Sequence, residues 1–520
     1  MRVLRRWAVR VRDWAAANPR IATAAGLIAL IAFSYLLRSQ ALWAKFWIDE
    51  GLSVGIANHG LTEIPGVLQK DGAPPAYYLL LHLWIDLAGG DGEARTHALS
   101  LLCALLAIPA AWWGGRTLFG TRSGWAAAAL AATLPFLTYY AQETRMYALA
   151  VLVGILAAAA FAGVFALRER RLLPAFVVFG VLAPYVHNWG LFMLAGCGAA
   201  WVALAASAPV DERKQLLRDG LLGFGLIALL YLPWVPTLLG QAAETGAPWA
   251  EKPDLESIVS ILEVTVGAGA TSLAIALVGG LGLLRMRPAE PERARAAMAL
   301  LIVLLTGVLV AWIASQISPA WSGRYVAILV GPALLLAGAG LTRAGTLGVV
   351  TLAVVLVLWS DTQERQIKGK SNAFKVARTL EERGLVREGD TILAVHPEQG
   401  PVMRYYLGEG LRWADALGPV SDPLVFDWRN ALERLERTGP KTVMREVAPS
   451  IAPGERLIVV LPIVRSGRWG APWTSLVRRR SAQWQRALDH DARFERVDRL
   501  PSIRYRRPPR GVRVVVYERR

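Results

Sequence analysis

The sequence has few charged residues and almost no cysteine for its length. Only 19% of its 520 residues are Asp, Glu, Lys or Arg, and its two cysteines, Cys103 and Cys197, lie inside apolar stretches. This excludes a disulfide framework, and both cysteines are expected to be buried as small apolar side chains. A glycine-rich phosphate loop, zinc-ligand spacing and aromatic RNA-binding motifs are also missing, which argues against nucleotide binding and against a nucleic-acid partner.

Apolar residues make up 54% of the chain, and the mean hydropathy of +0.37 is too high for an ordinary soluble protein. They form blocks near the length that crosses about 30 Å of hydrocarbon as a helix. The sequence therefore predicts a mainly α membrane protein of about 11 transmembrane helices. The blocks are Ile21 to Leu37, 98–115, 124–139, 146–167, 172–187, 189–208, 219–239, 258–284, 296–315, 324–342 and 345–360.

The charge of the short loops predicts how the chain crosses the membrane. Arginines at positions 2–12 precede the first block, which is long for a signal peptide and is interpreted as an uncleaved helix with its basic end in the cytoplasm. The positive-inside rule then places every basic loop in the cytoplasm as well. These loops are 116–122, 168–171, 211–218, 285–295 and Arg343.

The short apolar stretch from Pro75 to Gly89 would reverse this order if it crossed the membrane. We therefore predict that it is a helix at the outer interface or dipping into the membrane. After residue 360, helical patterns (374–383, 431–437, 481–489) alternate with strand-like runs (391–395, 457–461, 512–517). The prediction is a transmembrane domain at 1–360 followed by a small, basic α/β extracytoplasmic domain at 361–520.

The outer loops collect the polar residues that could carry chemistry. The first contains Asp49 and Glu50 beside Phe46 and Trp47, a mixed environment that can raise a carboxylate pKa and favour a general base. With equal weight, Asp49 could instead cap a helix that begins at Gly51.

Further along the same loop, Lys70 and Asp71 precede a diproline and the pair Tyr77-Tyr78. The two tyrosines could stack on a ring, or anchor the interfacial helix at the lipid headgroups.

A second outer loop contains Gln142, Glu143 and Arg145, which are costly at a membrane boundary unless paired or used. Arg145 could pair with Glu143 or bind a phosphate. Arg324 and Tyr325 open a late span, where an anionic ligand or lipid phosphate would relieve the conflict of Arg324 with the helix dipole. His187 lies at an outer turn and is either structural or directed into the same space.

Together these motifs resemble the GT-C class of membrane glycosyltransferases, and within it the bacterial members related to protein O-mannosyltransferases and lipid A aminoarabinose transferases. The resemblance spans roughly residues 20–360 and rests on four motifs in order on one face. These are Asp49-Glu50, Asp71 with Pro74-Pro75-Ala76-Tyr77-Tyr78, Gln142 to Tyr147, and Arg324-Tyr325. Many relatives have a histidine before the diproline, where this sequence has Ala73; Lys70 or His82 could substitute for it.

The resemblance implies inverting transfer of a sugar from a polyprenyl-phosphate donor to an acceptor hydroxyl, in a mannosyltransferase-like reaction outside the cytoplasmic membrane. Asp49 would be the general base, and Glu50 would orient it or bind the acceptor. Arg145 and Arg324, together with Lys70, would hold the lipid phosphate. The remaining substrate-binding residues would be Asp71, Tyr77, Tyr78, Gln142, Glu143, Tyr325 and His187.

No cofactor is expected. Asp49, Glu50 and Asp71 could bind a divalent ion, but a metal requirement is not expected. The sugar stays open between mannose, arabinose, glucose and galactose, and the acceptor between lipid, polysaccharide and protein.

The main alternative is a transporter or lipid flippase of envelope precursors, and a non-catalytic scaffold is a third. A transporter would place charged residues near the centres of its spans. In this sequence the charged residues of the candidate motifs lie at the outer ends of the spans. A scaffold would tolerate Asp49→Ala.

Overall fold

The computed structural model describes residues 17–267, 269–463, 470–500 and 511–520. The arginines at positions 2–12, which contribute to the predicted orientation, lie outside these ranges. Within them, a bundle of helices is followed by a smaller domain built on a β-sheet. Cys103 and Cys197 are buried and unpaired in the bundle, as expected.

Helices occupy all the apolar blocks predicted to cross the membrane. The bundle consists of α1 (Pro19–Arg38), α2 (Ile48–Ala57), α3 (Ile64–Asp71), α4 (Ala76–Ala88), α5 (Glu93–Phe119), α6 (Thr121–Thr133), α7 (Pro135–Tyr140), α8 (Tyr147–Phe165), α9 (Leu173–Val186), α10 (Gly190–Ser207), α11 (Val210–Tyr231), α12 (Val235–Glu244), α13 (Leu255–Val266), α14 (Ala270–Ala289), α15 (Pro291–Ile317), α16 (Val330–Arg343) and α17 (Thr346–Leu358). Among the described residues, seven segments are long and apolar enough to cross a membrane by themselves. They are Pro19–Arg38, Glu93–Phe119, Tyr147–Phe165, Gly190–Ser207, Val210–Glu244, Pro291–Ile317 and Gly323–Arg343.

Two predicted spans are divided in the structure. The span expected at 258–284 is two helices, because Gly267 and Gly269 adopt φ values of 84° and 64°, a left-handed backbone that ends α13. The span expected at 124–139 is interrupted before Pro135, which has no N–H to continue the hydrogen bonds of α6. Treating each of these blocks as one continuous helix was therefore wrong.

The basic loops meet at one end of the bundle. Arg343 Nη2 lies 2.8 Å from a Glu290 carboxylate oxygen and donates to the Phe119 carbonyl at 2.9 Å. Arg168 Nη2 lies 3.2 Å from Glu212 in the same way. Arg343 is thus in contact with the loops 116–122 and 285–295, and the loop 168–171 is in contact with the loop 211–218. These are the short loops that the positive-inside rule grouped on one side.

Helix α4 has both of its ends at the opposite end of the bundle, beside the sheet domain. The carbonyl of Gly72, before α4, accepts from Asn188 Nδ2 at 3.1 Å. The carbonyl of Asp91, after α4, accepts from the hydroxyl of Tyr405 in the sheet domain at 3.3 Å. The chain therefore returns to the same side, and α4 does not cross, as predicted.

The sheet domain contains α18 (Glu364–Lys368), α19 (Ala373–Glu382), β1 (Thr391–Ala394), α20 (Gln399–Leu407), β2 (Arg412–Asp415), β3 (Gly418–Pro419), α21 (Ala431–Arg437), α22 (Pro440–Val447), β4 (Arg456–Pro462), α23 (Pro472–Asp489), β5 (Phe494–Leu500) and β6 (Val512–Arg519). Within the described ranges the sheet order is β3-β2-β1-β4-β6-β5, with β2, β1 and β4 parallel and the other pairs antiparallel. Strands β1, β4 and β6 were predicted. The polar strands β2 and β5 and the very short β3 were not.

The parallel strands create a crevice. From β1 the chain turns through α20 to β2 on one side, while the parallel partner on the other side is β4. The connection that leaves the carboxyl end of β1 therefore runs away from β4, and such a switch point leaves an opening at that edge of the sheet.

The two parts of the chain pack closely through α2. A Cβ atom added at Gly51 would lie 2.6 Å from Val402 Cα, and one at Gly55 would lie 1.9 Å from the Leu424 carbonyl oxygen. Only glycine fits at these two positions, which lie one helical turn apart and let α2 approach the sheet domain.

The segment that joins the two parts is tied to β6. Asn372 Nδ2 donates to the Val512 carbonyl at 2.8 Å, and its Oδ1 accepts from the Val512 N–H at 2.7 Å.

Candidate active site

A cavity of about 390 Å³ lies between the bundle loops and the sheet domain. Charged and polar side chains from both parts of the chain reach it. Its polar and aromatic lining includes Trp47, Asp49, Asp71, Arg145, His187, Trp249, Arg324, Tyr325, His396, Glu398, Gln399 and Trp428.

Asp49 lies in the first turn of α2. The helix begins at Ile48, and its N-cap is Trp47, so the alternative that Asp49 caps a helix beginning at Gly51 is wrong. Asp49 Oδ2 lies 2.8 Å from Arg324 Nη1, and both side chains are partly open to the cavity. A carboxylate thus stands beside a fixed cation on the cavity wall.

The guanidinium of Arg324 is surrounded by aromatic rings. Its Cζ lies 5.6 Å from the ring centre of Trp47, 5.7 Å from that of Tyr325, 5.8 Å from that of Trp249 and 6.0 Å from that of Tyr147. The rings hold the cation in place through cation–π attraction and exclude bulk water, which strengthens its effect on any anion beside it.

Arg145 is the second cation of the cavity. Its Nη1 donates to Ser53 Oγ at 3.0 Å, and to Tyr78 Oη and the Asp49 carbonyl at 3.4 Å. Within the described residues, no carboxylate oxygen lies within ion-pair distance of this guanidinium. Its charge is therefore available to an anionic ligand.

Glu50 faces away from the cavity, into a buried ionic cluster. Its Oε1 lies 2.6 Å from His97 Nε2 and accepts from the Thr144 N–H at 2.9 Å, and its Oε2 lies 3.0 Å from Lys370 Nζ. Burial alone would raise the pKa of Glu50, but Lys370 and His97 outweigh it and hold that pKa well below its usual range. Glu50 is therefore an ionised group that fixes the first turn of α2.

Lys370 also lies 3.1 Å from Glu143 Oε1, which accepts from Trp47 Nε1 at 2.5 Å. Glu143 thus pairs with a lysine that follows the bundle, and not with Arg145.

Two further groups of the cavity have shifted pKa values. Burial raises the pKa of Asp71 to about 6, with Arg145 opposing and Asp49 adding to the shift. Burial, together with the charges of Arg145 and Arg324, lowers the pKa of His187 to about 3, so its ring is neutral at physiological pH. Asp71 can therefore carry a proton near neutrality, and His187 can act as a neutral hydrogen-bonding group.

The structure does not bring every predicted residue to the cavity wall. Both ends of the Gln142 amide are bonded to backbone groups, at 2.6 and 3.0 Å. Tyr77 and Tyr78 are buried behind the wall, and the charge of Lys70 acts on Asp422 of the sheet domain. Their roles in binding substrate stay predictions.

Sequence reasoning missed His97, Lys370, Trp249 and the residues from the sheet domain. Lys370 is one of 57 Lys and Arg residues and lies 320 positions after Glu50. Nothing in its local sequence distinguishes it, because its partners depend on how the sheet domain packs.

The three carboxylates considered for a divalent ion do not form a ligand set. Both oxygens of Glu50 are bonded to protein groups. In the part of the chain that the structure describes, no group of three or more His, Cys, Asp or Glu side chains is arranged to hold a metal. Metal-independent turnover stays a prediction.

No protein-family model and no curated protein matches the sequence. Solved structures do match. ArnT from Cupriavidus metallidurans bound to undecaprenyl phosphate superposes with a TM-score of 0.56 at 13% identity, over 95% of this chain and 97% of that one. The archaeal oligosaccharyltransferase AglB from Archaeoglobus fulgidus, in complex with an inhibitory peptide and a dolichol-phosphate, gives 0.54 at 11% identity over 86% and 70%.

The chain has the GT-C fold. The arabinofuranosyltransferase AftD from Mycobacteria is also similar, with a TM-score of 0.52 at 13% identity, over 96% of this chain but only 40% of AftD. The GT-C fold and multi-pass membrane architecture expected from the motifs are thus confirmed.

Proposed function

We propose that this GT-C protein transfers a sugar from a polyprenyl-phosphate donor to an acceptor hydroxyl, with inversion at the anomeric carbon. The observation that carries the proposal is the grouping of Asp49, Arg145 and Arg324 in one cavity at the end of the bundle. Two structures with the same fold contain a polyprenyl or dolichol phosphate.

The arginines would bind the donor phosphate. Negative charge develops on the phosphate oxygens as the bond to the sugar breaks, so fixed cations stabilise the transition state more than the ground state. A bound phosphate would also share Arg324 with Asp49, which frees Asp49 to accept a proton.

Asp49 would act as the general base. The acceptor oxygen bonds to the anomeric carbon, the bond from that carbon to the phosphate oxygen breaks, and the hydroxyl proton passes to Asp49. One displacement with one base gives inversion. Glu50 would hold Asp49 in position through α2 and its buried bonds to His97 and Lys370.

The reaction would take place on the outer face of the cytoplasmic membrane. The basic loops contact one another at the end of the bundle opposite to the cavity, and basic loops face the cytoplasm. A donor that is already lipid-linked needs no nucleotide site there.

The test is release or transfer of radiolabelled sugar from a panel of polyprenyl-phosphate sugars, beginning with mannose and including arabinose, glucose and galactose. Asp49→Asn should lower turnover by roughly 10²–10⁴-fold, the usual contribution of a general base, and leave donor binding intact. Asp86→Asn is the matched control, because Asp86 is exposed on α4.

If no donor turns over while wild type and Asp49→Asn bind the lipids equally well, Asp49 is not the base. The transporter alternative would then be favoured.

A further inference from the structure

The cavity has two walls of different chemistry. The bundle contributes the cations Arg145 and Arg324, which suit a phosphate. The wall from the sheet domain contributes the turn His396-Pro397-Glu398-Gln399. A second anion would be repelled from Glu398, so this wall does not suit the donor phosphate.

The position of the turn follows from the topology. It leaves the carboxyl end of β1, and Ile463, which follows β4, lines the same cavity. Sheets of α/β domains bind ligands at such a switch point, beyond the carboxyl ends of the parallel strands. Here that crevice opens directly onto the cavity that contains Asp49.

The side chain of Gln399 has a hydrogen-bond acceptor without a donor in the described part of the chain. Its side chain is 1% exposed, and its Oε1 has no hydrogen-bond partner among the described residues. A buried acceptor left in this state lowers the stability of the folded protein. A ligand hydroxyl would satisfy it.

The side chain of the neighbouring residue, Glu398, is fixed by contacts with the protein. One carboxylate oxygen accepts from Trp473 Nε1 at 2.7 Å and lies 3.3 Å from His396 Nε2. These contacts fix the side chain and leave its second oxygen to accept strong, charge-assisted bonds from hydroxyl groups.

An aromatic ring completes the surroundings. Trp249 and Trp428 both line the cavity, but Trp428 is buried against Phe426 and Trp473, whereas Trp249 is partly exposed. An indole ring offers a broad apolar face on which the C–H face of a sugar ring can stack. A carboxylate and an amide oxygen beside such a ring form a site for a ligand ring with several hydroxyls.

We infer that the His396-Pro397-Glu398-Gln399 turn is the acceptor subsite and that the acceptor is a carbohydrate. The inference rests on the proposed function, since it names the acceptor of that reaction. A serine or threonine side chain offers one hydroxyl and no ring, whereas a sugar offers several hydroxyls and an apolar ring face to the same groups.

The experiment separates transfer from hydrolysis in the purified full-length protein. Radiolabelled polyprenyl-phosphate donors are incubated with methyl glycosides of mannose, glucose, galactose and arabinose, or with a Ser/Thr-rich peptide. Glu398→Gln and Gln399→Ala are compared with the exposed-site controls Glu409→Gln and Gln483→Ala.

Wild type and both controls should form a glycosylated methyl glycoside and no glycopeptide. Glu398→Gln and Gln399→Ala should raise the KM for the glycoside at least tenfold, while hydrolysis of the donor by water stays within about twofold. This split between acceptor KM and donor hydrolysis would not result from a merely unstable variant.

Three results would overturn the inference: transfer to the peptide, donor hydrolysis without transfer to any glycoside, or an unchanged glycoside KM in both variants. A fourth result, no turnover of any donor by wild type, would overturn the proposed function itself.

Discussion

Replacing Lys370 by Met should release the sheet domain from the bundle. Lys370 is buried and bridges Glu50 and Glu143, which are equally buried. The substitution removes the cation that lies between two buried carboxylates, and in the described part of the chain His97 is the basic side chain that stays beside Glu50. Removing one partner of a buried ion pair typically costs roughly 3–5 kcal/mol.

The assay is limited trypsin digestion of the purified protein. Arg365 is exposed in α18, the first helix after the bundle, and is a cleavage site in every variant. When opening is fast relative to cleavage, the cleavage rate follows the population of the open state. A loss of roughly 3–5 kcal/mol would accelerate cleavage by about two to three and a half orders of magnitude.

Lys368→Met is the matched control. It also removes one basic site from the same segment, but Lys368 is exposed and pairs only with Glu364 at the surface, an interaction worth at most about 1 kcal/mol. Adding Glu143→Gln to Lys370→Met should recover part of the loss, because one buried charge is then removed. Equal cleavage of Lys370→Met and Lys368→Met would refute the reasoning.

Two further substitutions test other contacts. His59 Nε2 lies 3.0 Å from Asp422 of the sheet domain, and this hydrogen bond raises the pKa of His59. The stability it contributes is present below the unfolded pKa and is lost as the pH rises through the folded one. His59→Ala should therefore accelerate trypsin release more at pH 6 than at pH 8.5, unlike the exposed control His490→Ala, and equal effects at both pH values would count against the pair. Arg38 Nη2 donates at 2.7 Å to the Ala131 carbonyl. In a continuous helix this carbonyl would accept from the backbone N–H of residue 135, but Pro135 has no N–H. Arg38→Met should lower the thermal unfolding midpoint in detergent by leaving this carbonyl unpaired, at about 1–3 kcal/mol. Pro135→Ala should suppress part of that loss, and no suppression would contradict the assignment.

Much of the bundle could be predicted because length and hydropathy decide where a chain can cross a membrane. The interruptions within the predicted spans could not be predicted in this way. Pro109 and Pro184 lie inside continuous helices, whereas Pro135 begins a new one. The local sequence contains the same residue in each case. At Pro135, the distant Arg38 donates to the carbonyl that the proline leaves without a donor, and local sequence does not show this contact.

The sequence predicts the bundle side of the candidate site better than the side from the sheet domain. Asp49, Arg145 and Arg324 belong to motifs in the loops between hydrophobic spans, where a charged residue stands out against an apolar background. Lys370, Glu398 and Gln399 lie in a domain with an ordinary mixture of polar residues. Their significance depends on the docking of that domain, which local sequence does not encode.

The two hydrogen bonds between Asn372 and Val512 of β6 have a consequence for the order in which the protein assembles during synthesis. Strand β6 follows every bundle helix along the chain, yet it holds the segment that carries Lys370 to Glu50 and Glu143. During synthesis, the helices that carry Glu50 and Glu143 are therefore made long before the strand that holds Lys370 in place. The first turn of α2, which carries Asp49, can reach its final arrangement only after β6 has been made and has joined the sheet.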